Sequence, residues 1–143
     1  MSLRPYHVLI VDDEEGMREE LRELLTDEGL VVELANDGIE GLEKLRNSHF
    51  DVAVVDLRMP RMTGLEMISH VDAEEIDTYV IILTGHGDKN DAVQALKLQE
   101  TVKDWFEKSS LDAKTLIKRV KRLAEGLSFE EIDRLFAGIT KAE

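Results

Sequence analysis

The sequence predicts an α/β fold in which a doubly wound parallel sheet of five strands is flanked by helices. Short apolar runs alternate along the chain with longer segments whose apolar residues recur every three or four positions. Three of the apolar runs consist almost wholly of Val, Ile and Leu, which is typical of parallel strands covered on both faces. The regular alternation of the two patterns favours five βα units in one domain.

Each predicted strand is a short apolar run that precedes a helical segment. The runs are residues 7–11 (HVLIV), 30–34 (LVVEL), 51–55 (DVAVV), 79–83 (YVIIL) and, more weakly, 102–106 (VKDWF). The last run has the fewest Val, Ile and Leu residues, so its assignment depends most on its place in the series.

Each predicted helix presents one apolar face. The first is marked by Met17, Leu21, Leu24 and Leu25 and ends near Gly29, the second by Ile39, Leu42 and Leu45, the third by Leu65 and Ile68, the fourth by Ala92, Val93, Ala95 and Leu96, and the fifth by Leu116, Ile117, Val120 and Leu123. We expect Ser110 to cap the fifth helix and Gly126 to end it.

Residues 1–126 are predicted to form this domain, and residues 127–143 a C-terminal extension. Ser128 and Glu131 have the spacing of a capping box, and the apolar residues after Ser128 fall on one helical face. A sixth, amphipathic helix is therefore expected. Its apolar face either packs on its own domain or meets a partner or a further domain, and the sequence favours neither.

Composition excludes several classes of function. The chain has 143 residues, 43% of them apolar, and a net charge of −13, which argues against nucleic-acid or anionic-membrane binding by this segment. It contains no cysteine, so disulfides, thiolate metal sites and thiol catalysis are excluded. No apolar run approaches the roughly 20 residues of a membrane span. We expect a cytoplasmic location.

Acidic residues follow two of the predicted strands. Asp12 and Asp13 come directly after the first strand, and Asp56 after the third. Ligands of open α/β sheets bind at the carboxyl ends of strands, so these carboxylates are expected to converge if the two strands lie side by side. Their mutual repulsion would be relieved by a hard divalent cation, and a set of oxygen ligands favours Mg²⁺ or Mn²⁺.

The fourth and fifth strands end in groups suited to an anion. Thr84 offers a hydroxyl, Gly85 leaves room for close approach, and Lys108 supplies an ammonium that suits a phosphate. Carboxylates for a metal, one carboxylate as nucleophile, a hydroxyl and an ammonium together favour phosphoryl transfer onto a carboxylate. Asp56, after an apolar strand, is the predicted acceptor.

In this arrangement the chain resembles the response-regulator receiver domain of bacterial two-component signalling, a CheY-like domain. The resemblance rests on Asp12-Asp13, on residues 56–64 (DLRMPRMTG) and 84–88 (TGHGD), and on Lys108 after an aromatic pair. It covers residues 7 to about 126. It implies the strand order 2-1-3-4-5.

The resemblance also implies a role for each residue. Asp56 would be phosphorylated; Mg²⁺ would be bound directly by Asp13, Asp56 and the Arg58 backbone carbonyl, and by Asp12 largely through water. Thr84 and Lys108 would bind the phosphoryl group. The aromatic residue Trp105 would change position on phosphorylation. Arg58 and His86 would tune the lifetime of the phosphoryl group.

The implied phosphodonor is a sensor histidine kinase or a phosphotransfer protein. The signal would pass through the surface of the fourth helix, fifth strand and fifth helix, or through the C-terminal helix, to an output domain or a second copy. The chain would catalyse its own phosphorylation and dephosphorylation, and it would not be a turnover enzyme.

Three features depart from the family pattern. Ser109 stands where the family usually has proline, residues 99–104 (QETVKD) lack the usual glycine, and Trp105 replaces Tyr or Phe. They leave open a degenerate receiver that binds proteins without phosphorylation. A haloacid-dehalogenase-type phosphatase is disfavoured because residues 12–16 (DDEEG) lack its DxDx[TV] motif, and dinucleotide binding because no Gly-rich turn follows the first strand.

Overall fold

A computed structural model describes residues 5–85 and 87–126, which form one parallel sheet with helices on both faces. The strands are β1 (His7–Val11), β2 (Val31–Ala35), β3 (Val52–Val55), β4 (Tyr79–Thr84) and β5 (Val102–Glu107). Their spatial order is β2-β1-β3-β4-β5, and every pair is parallel. The predicted fold class and strand order are confirmed, including the weakly indicated fifth strand.

Five α-helices connect the strands. They are α1 (Glu15–Thr26), α2 (Gly38–Asn47), α3 (Gly64–Ala73), α4 (Lys89–Leu96) and α5 (Ala113–Glu125). The apolar residues that marked the predicted helical faces all lie within these five helices. The end of α1 was expected near Gly29, but its C-cap is Asp27, and Gly29 follows in the turn with φ at 85°. Gly126, with φ at 77°, ends α5 as expected.

Alternating strand residues divide the core into two layers. Successive side chains of a strand point to opposite faces of the sheet. Thus Val8 and Ile10 of β1 pack with α1 and α5, while Leu9 and Val11 pack with α2, α3 and α4. All four side chains are fully buried, which explains why the central strands are apolar at every position.

The N-terminus of α5 differs from the prediction. Ser110 does not cap the helix, because it lies in a 3₁₀ turn, Lys108–Ser110, that follows β5. The cap is Asp112, whose carboxylate accepts a hydrogen bond from the backbone N–H of Lys114 at 3.2 Å. An Asp two residues later therefore serves the role expected of the serine.

Two predictions fall outside the described residues. The amphipathic helix expected in residues 127–143 is one, and the position of His86 is the other. Among residues 5–85 and 87–126 no helix has both the length and the apolar character needed to cross a membrane.

Gly64 fixes the connection between β3 and α3. A Cβ at this position would lie 2.2 Å from the Asp56 carbonyl oxygen and 2.8 Å from Leu57 Cα. The Gly64 N–H donates to the Leu57 carbonyl at 3.0 Å. The start of α3 therefore lies directly against the backbone of Asp56, and only glycine permits this approach.

Gly64→Ala is expected to destabilise the protein by about 1–3 kcal/mol, because the added methyl group meets backbone atoms that cannot move aside independently. The free energy of unfolding from urea denaturation measures this. The matched control is Gly16→Ala in the first turn of α1, where a Cβ would meet nothing within 4 Å. That change is expected to stabilise by about 0.4–1 kcal/mol. Equal stability of Gly64→Ala and the unchanged protein would contradict the steric argument.

Candidate functional site

Three carboxylates meet at the carboxyl end of the sheet. β1 and β3 are neighbours in register, with Val11 opposite Val55, so Asp12 and Asp56 leave the sheet at the same level. The Asp56 N–H donates to the Val11 carbonyl at 2.9 Å. One carboxylate oxygen from each of Asp12, Asp13 and Asp56 lies within 4.8 Å of the other two. The sequence prediction that these acids converge is borne out by this geometry.

The three acids differ in exposure. Asp12 and Asp56 are buried, whereas Asp13 is exposed. Burial raises the pKa of Asp12, and the nearby charge of Asp56 acts in the same direction. A hydrogen bond from the Glu14 N–H to Asp12 Oδ1, at 2.9 Å, and contact with Lys108 oppose that rise in pKa. The pocket therefore concentrates negative charge, which a bound cation would stabilise.

The donor set fits a hard divalent cation. All three side chains offer carboxylate oxygens, and neither histidine nor cysteine belongs to the group. Such ligands suit Mg²⁺ or Mn²⁺ better than Zn²⁺. The exposed Asp13 gives the group an open side toward solvent, while the two buried acids form its base.

Lys108 reaches the acids from the end of β5. Its Nζ lies 2.9 Å from Asp12 Oδ2, 2.9 Å from Glu14 Oε1 and 3.1 Å from Asp56 Oδ2. The peptide bonds of the described residues, including the one joining Lys108 to Ser109, are all trans. Proline is therefore not needed to direct this lysine into the pocket.

Several carboxylates share the charge of Lys108. Burial alone would lower the pKa of Lys108, but hydrogen bonds with Asp12 and Glu14 and the charges of Asp12 and Asp56 outweigh burial and raise it above its usual value. Lys108 is thus an ammonium ion under all ordinary conditions. It is the positive charge that the buried acids require.

Thr84 and Gly85 complete the rim at the end of β4. Thr84 is fully buried and lies opposite Glu107 in the β4–β5 register. A Cβ on Gly85 would lie 3.8 Å from Lys108 Cδ, so this glycine lies beside the lysine stem. Thr84 ends β4 and Gly85 directly follows it, so both residues lie between Asp56, after β3, and Lys108, after β5.

Trp105 covers the loop that follows Thr84. A Cβ on Gly87 would lie 2.1 Å from Trp105 Cζ2, so the indole packs directly on the glycine backbone. The indole Nε1 donates to Glu107 Oε1 at 3.1 Å. Beside Trp105, α4 and β5 enclose a groove of about 540 Å³, and Leu96 on its rim is 67% exposed.

Arg58 joins the acceptor loop, residues 56–63 between β3 and α3, to α4. Its guanidinium forms an ion pair with Asp91 and lies 3.6 Å from Asp88 Oδ2. Asp88 and Asp91 form the capping box at the N-terminus of α4. The backbone N–H of Arg58 lies 3.5 Å from Asp56 Oδ1, at the outer limit of a hydrogen bond. Thus one residue of the loop contacts both the predicted acceptor and the start of α4.

Two residues that contact the pocket and its loop were not predicted from the sequence. Glu14 lies at the N-cap of α1, where its side chain makes no capping hydrogen bond and instead pairs with Lys108. Asp91 was not considered. The spacing of Asp88 and Asp91 signals a capping box, whereas their contact with Arg58 depends on the folded loop.

Comparison with known proteins agrees with this architecture. The family model for the response regulator receiver domain matches residues 8–121. The transcriptional regulatory protein FixJ of Rhizobium meliloti is 36% identical over 128 residues, which cover 90% of this chain and 61% of FixJ. The transcriptional regulatory protein GlrR of Escherichia coli K12 is 41% identical over 95 residues, 66% of this chain and 21% of GlrR. The chain thus spans only part of the length of these relatives.

A solved structure shows the same similarity. The response regulator TrrA of Thermotoga maritima, crystallised in complex with Mg²⁺ and BeF, superposes with a TM-score of 0.71 at 29% identity. The alignment covers 82% of this chain and 98% of TrrA. With five parallel strands in the order 2-1-3-4-5, acids after β1 and β3 and a family match over most of its length, this chain belongs to the response regulator receiver domain family.

Proposed function

We propose that the chain is a cytoplasmic phosphoacceptor switch that receives a phosphoryl group on Asp56 from a phosphohistidine of a sensor histidine kinase or phosphotransfer protein. The observation that carries the proposal is the placement of Asp56. It is a buried carboxylate, 5% exposed, with an oxygen within 4.8 Å of the carboxylate oxygens of two further acids and 3.1 Å from the Lys108 ammonium. A structural acid would need one counter-ion and no neighbouring carboxylates.

The transfer follows from that arrangement. A carboxylate oxygen of Asp56 attacks phosphorus, a P–O bond forms, and the P–N bond to the donor histidine breaks with its electron pair remaining on the ring nitrogen. Lys108 donates hydrogen bonds to the phosphoryl oxygens, and the Thr84 hydroxyl binds another of them. Water later attacks the phosphorus of the acyl phosphate, the bond to the Asp56 oxygen breaks, and inorganic phosphate leaves while the carboxylate of Asp56 is regenerated. Since the acceptor is the protein's own side chain, the chain is a signalling domain and not a turnover enzyme.

Magnesium is the proposed cofactor, and Mn²⁺ is expected to substitute for it. Asp13, Asp56 and the Arg58 carbonyl would hold the ion directly, and Asp12 largely through water. When bound, the ion neutralises charge on the phosphoryl oxygens and on the acids. The all-oxygen donor set supports this assignment, as does the Mg²⁺ and BeF complex formed by TrrA.

The proposed output surface is the face formed by α4, β5 and α5. Its groove beside Trp105 is open, and Arg58 connects α4 to the loop that carries Asp56. An output domain, a second copy of the chain or the extension at residues 127–143 would respond there. Residues 1–126 are proposed as the receiver unit. The net charge of the whole 143-residue chain is −13, which argues against binding of nucleic acid or an anionic membrane.

Acetyl phosphate with Mg²⁺ is expected to add one phosphoryl group to the protein. No group should be added without Mg²⁺. None should be added to Asp56→Ala, because this variant lacks the acceptor oxygen and a metal ligand. Intact-mass spectrometry measures this. The control is Asp27→Ala, which removes an exposed acid after α1 and should leave phosphorylation unchanged. Absence of an adduct on the unchanged protein, with no Mg²⁺ binding seen by Trp105 fluorescence, would favour the degenerate, phosphorylation-independent receiver.

Arg58→Ala is expected to loosen α4, because it leaves the buried Asp91 carboxylate without its ion pair. We expect a loss of about 1 kcal/mol in the free energy of unfolding and faster amide hydrogen exchange within Lys89–Leu96. Arg58→Ala combined with Asp91→Asn should recover part of the stability, since the unpaired charge is then removed.

The control for this change is Arg22→Ala. Arg22 pairs with Glu19 on the exposed surface of α1, and its loss should alter stability by less than about 0.5 kcal/mol. If Arg58→Ala leaves hydrogen exchange in α4 at the rate of the unchanged protein, the contact does not connect the acceptor loop to α4.

A further inference from the structure

The Lys108 ammonium has all of its donors engaged in this structure. An ammonium carries three N–H groups. Three carboxylate oxygens surround it, from Asp12 at 2.9 Å, Glu14 at 2.9 Å and Asp56 at 3.1 Å. A phosphoryl oxygen that binds Lys108 must therefore displace one of these partners or share a donor with it.

The three partners differ in what they lose on release. The side chains of Asp12 and Asp56 are 3% and 5% exposed, so a loss of the lysine would leave a poorly solvated charge. The side chain of Glu14 is 63% exposed. Its carboxylate returns to water when the contact breaks, so its release costs less free energy than the release of either buried acid. Glu14 is therefore the partner that leaves most readily.

The side chain of Glu14 also does not cap the helix at whose N-terminus it lies. It occupies the N-cap of α1, where a side chain often bonds the first helical N–H groups, yet it makes no such bond. Its backbone N–H holds Asp12 Oδ1 at 2.9 Å, while its side chain turns to a lysine 94 residues away in the chain. The backbone of Glu14 thus binds Asp12, while its side chain binds Lys108.

We propose that Glu14 is a positioning residue that occupies, in the unphosphorylated protein, the Lys108 donor that a phosphoryl oxygen takes. This inference rests on the proposed function and deepens it. Glu14 stands in for the phosphoryl group: it holds Lys108 over Asp56 before transfer and competes with the phosphoryl group after transfer. Its removal should favour the phosphorylated state by the free energy of the Glu14–Lys108 contact.

The test is the affinity of the full chain for beryllium fluoride, a phosphoryl mimic, at saturating Mg²⁺. Fluorine NMR counts the bound ligand directly and needs no response from Trp105. Glu14→Gln should bind the mimic about two- to fivefold more tightly than the unchanged protein, as expected for loss of one competing ion pair whose carboxylate is solvent-exposed. Saturating Mg²⁺ removes any effect of the substitution on metal affinity from the comparison.

Glu15→Gln is the matched control. Glu15 is the adjacent exposed acid in the first turn of α1, and within the described residues it forms no ion pair. Its substitution removes the same charge close to the site and should leave the affinity unchanged. An equal gain in both variants would show a general effect of charge and would overturn the proposal for Glu14.

Two results distinguish the role of Glu14 from the phosphoacceptor function of Asp56. If the unchanged protein binds beryllium fluoride but Glu14→Gln binds it equally or more weakly, the role of Glu14 is wrong and the phosphoacceptor function stands. If neither protein binds the mimic at saturating Mg²⁺, the proposed function fails and the role of Glu14 fails with it.

Discussion

The burial of two carboxylates beside a third is the constraint on which this molecule depends. Asp12 and Asp56 leave adjacent buried strands, and each would be costly there without a positive charge. In this structure Lys108 supplies that charge from β5, so the pocket joins the centre of the sheet to its edge. Because the neighbouring carboxylates repel one another, binding of a cation is favourable there, and the bound cation can in turn attract an anionic group.

The acceptor loop transmits this constraint to its surroundings. Gly64 holds α3 against the Asp56 backbone, and Arg58 reaches the capping box of α4. Any shift of the loop therefore changes the contacts of α4, which borders the groove beside Trp105. A charge added at Asp56 would act first on Lys108 and Arg58, and a distant response requires only that α4 has a second arrangement of similar free energy.

Periodicity and strand ends were sufficient to predict the sheet and the acid cluster, because parallel strands bring their carboxyl ends to one edge. The contacts of Glu14 and Arg58 were not predicted. They span 94 and 33 residues, and no local sequence pattern encodes a contact between side chains that lie so far apart in the chain. The cap of α5 was misplaced for a related reason: Ser110 is drawn into the 3₁₀ turn that begins with Lys108, and Asp112 takes its role. Ser109 in place of the family's usual proline does not prevent Lys108 from reaching the carboxylates of the pocket.

The central claim is that Asp56 is the nucleophile of this pocket, and trapping the acyl phosphate tests it most directly. After incubation with Mg²⁺ and acetyl phosphate, borohydride reduces an aspartyl phosphate to homoserine, and tandem mass spectrometry of the digested protein locates the altered residue. The account predicts conversion at position 56 alone, and only with Mg²⁺ present. Conversion at Asp12, at Asp13 or at an acid outside the pocket would contradict it.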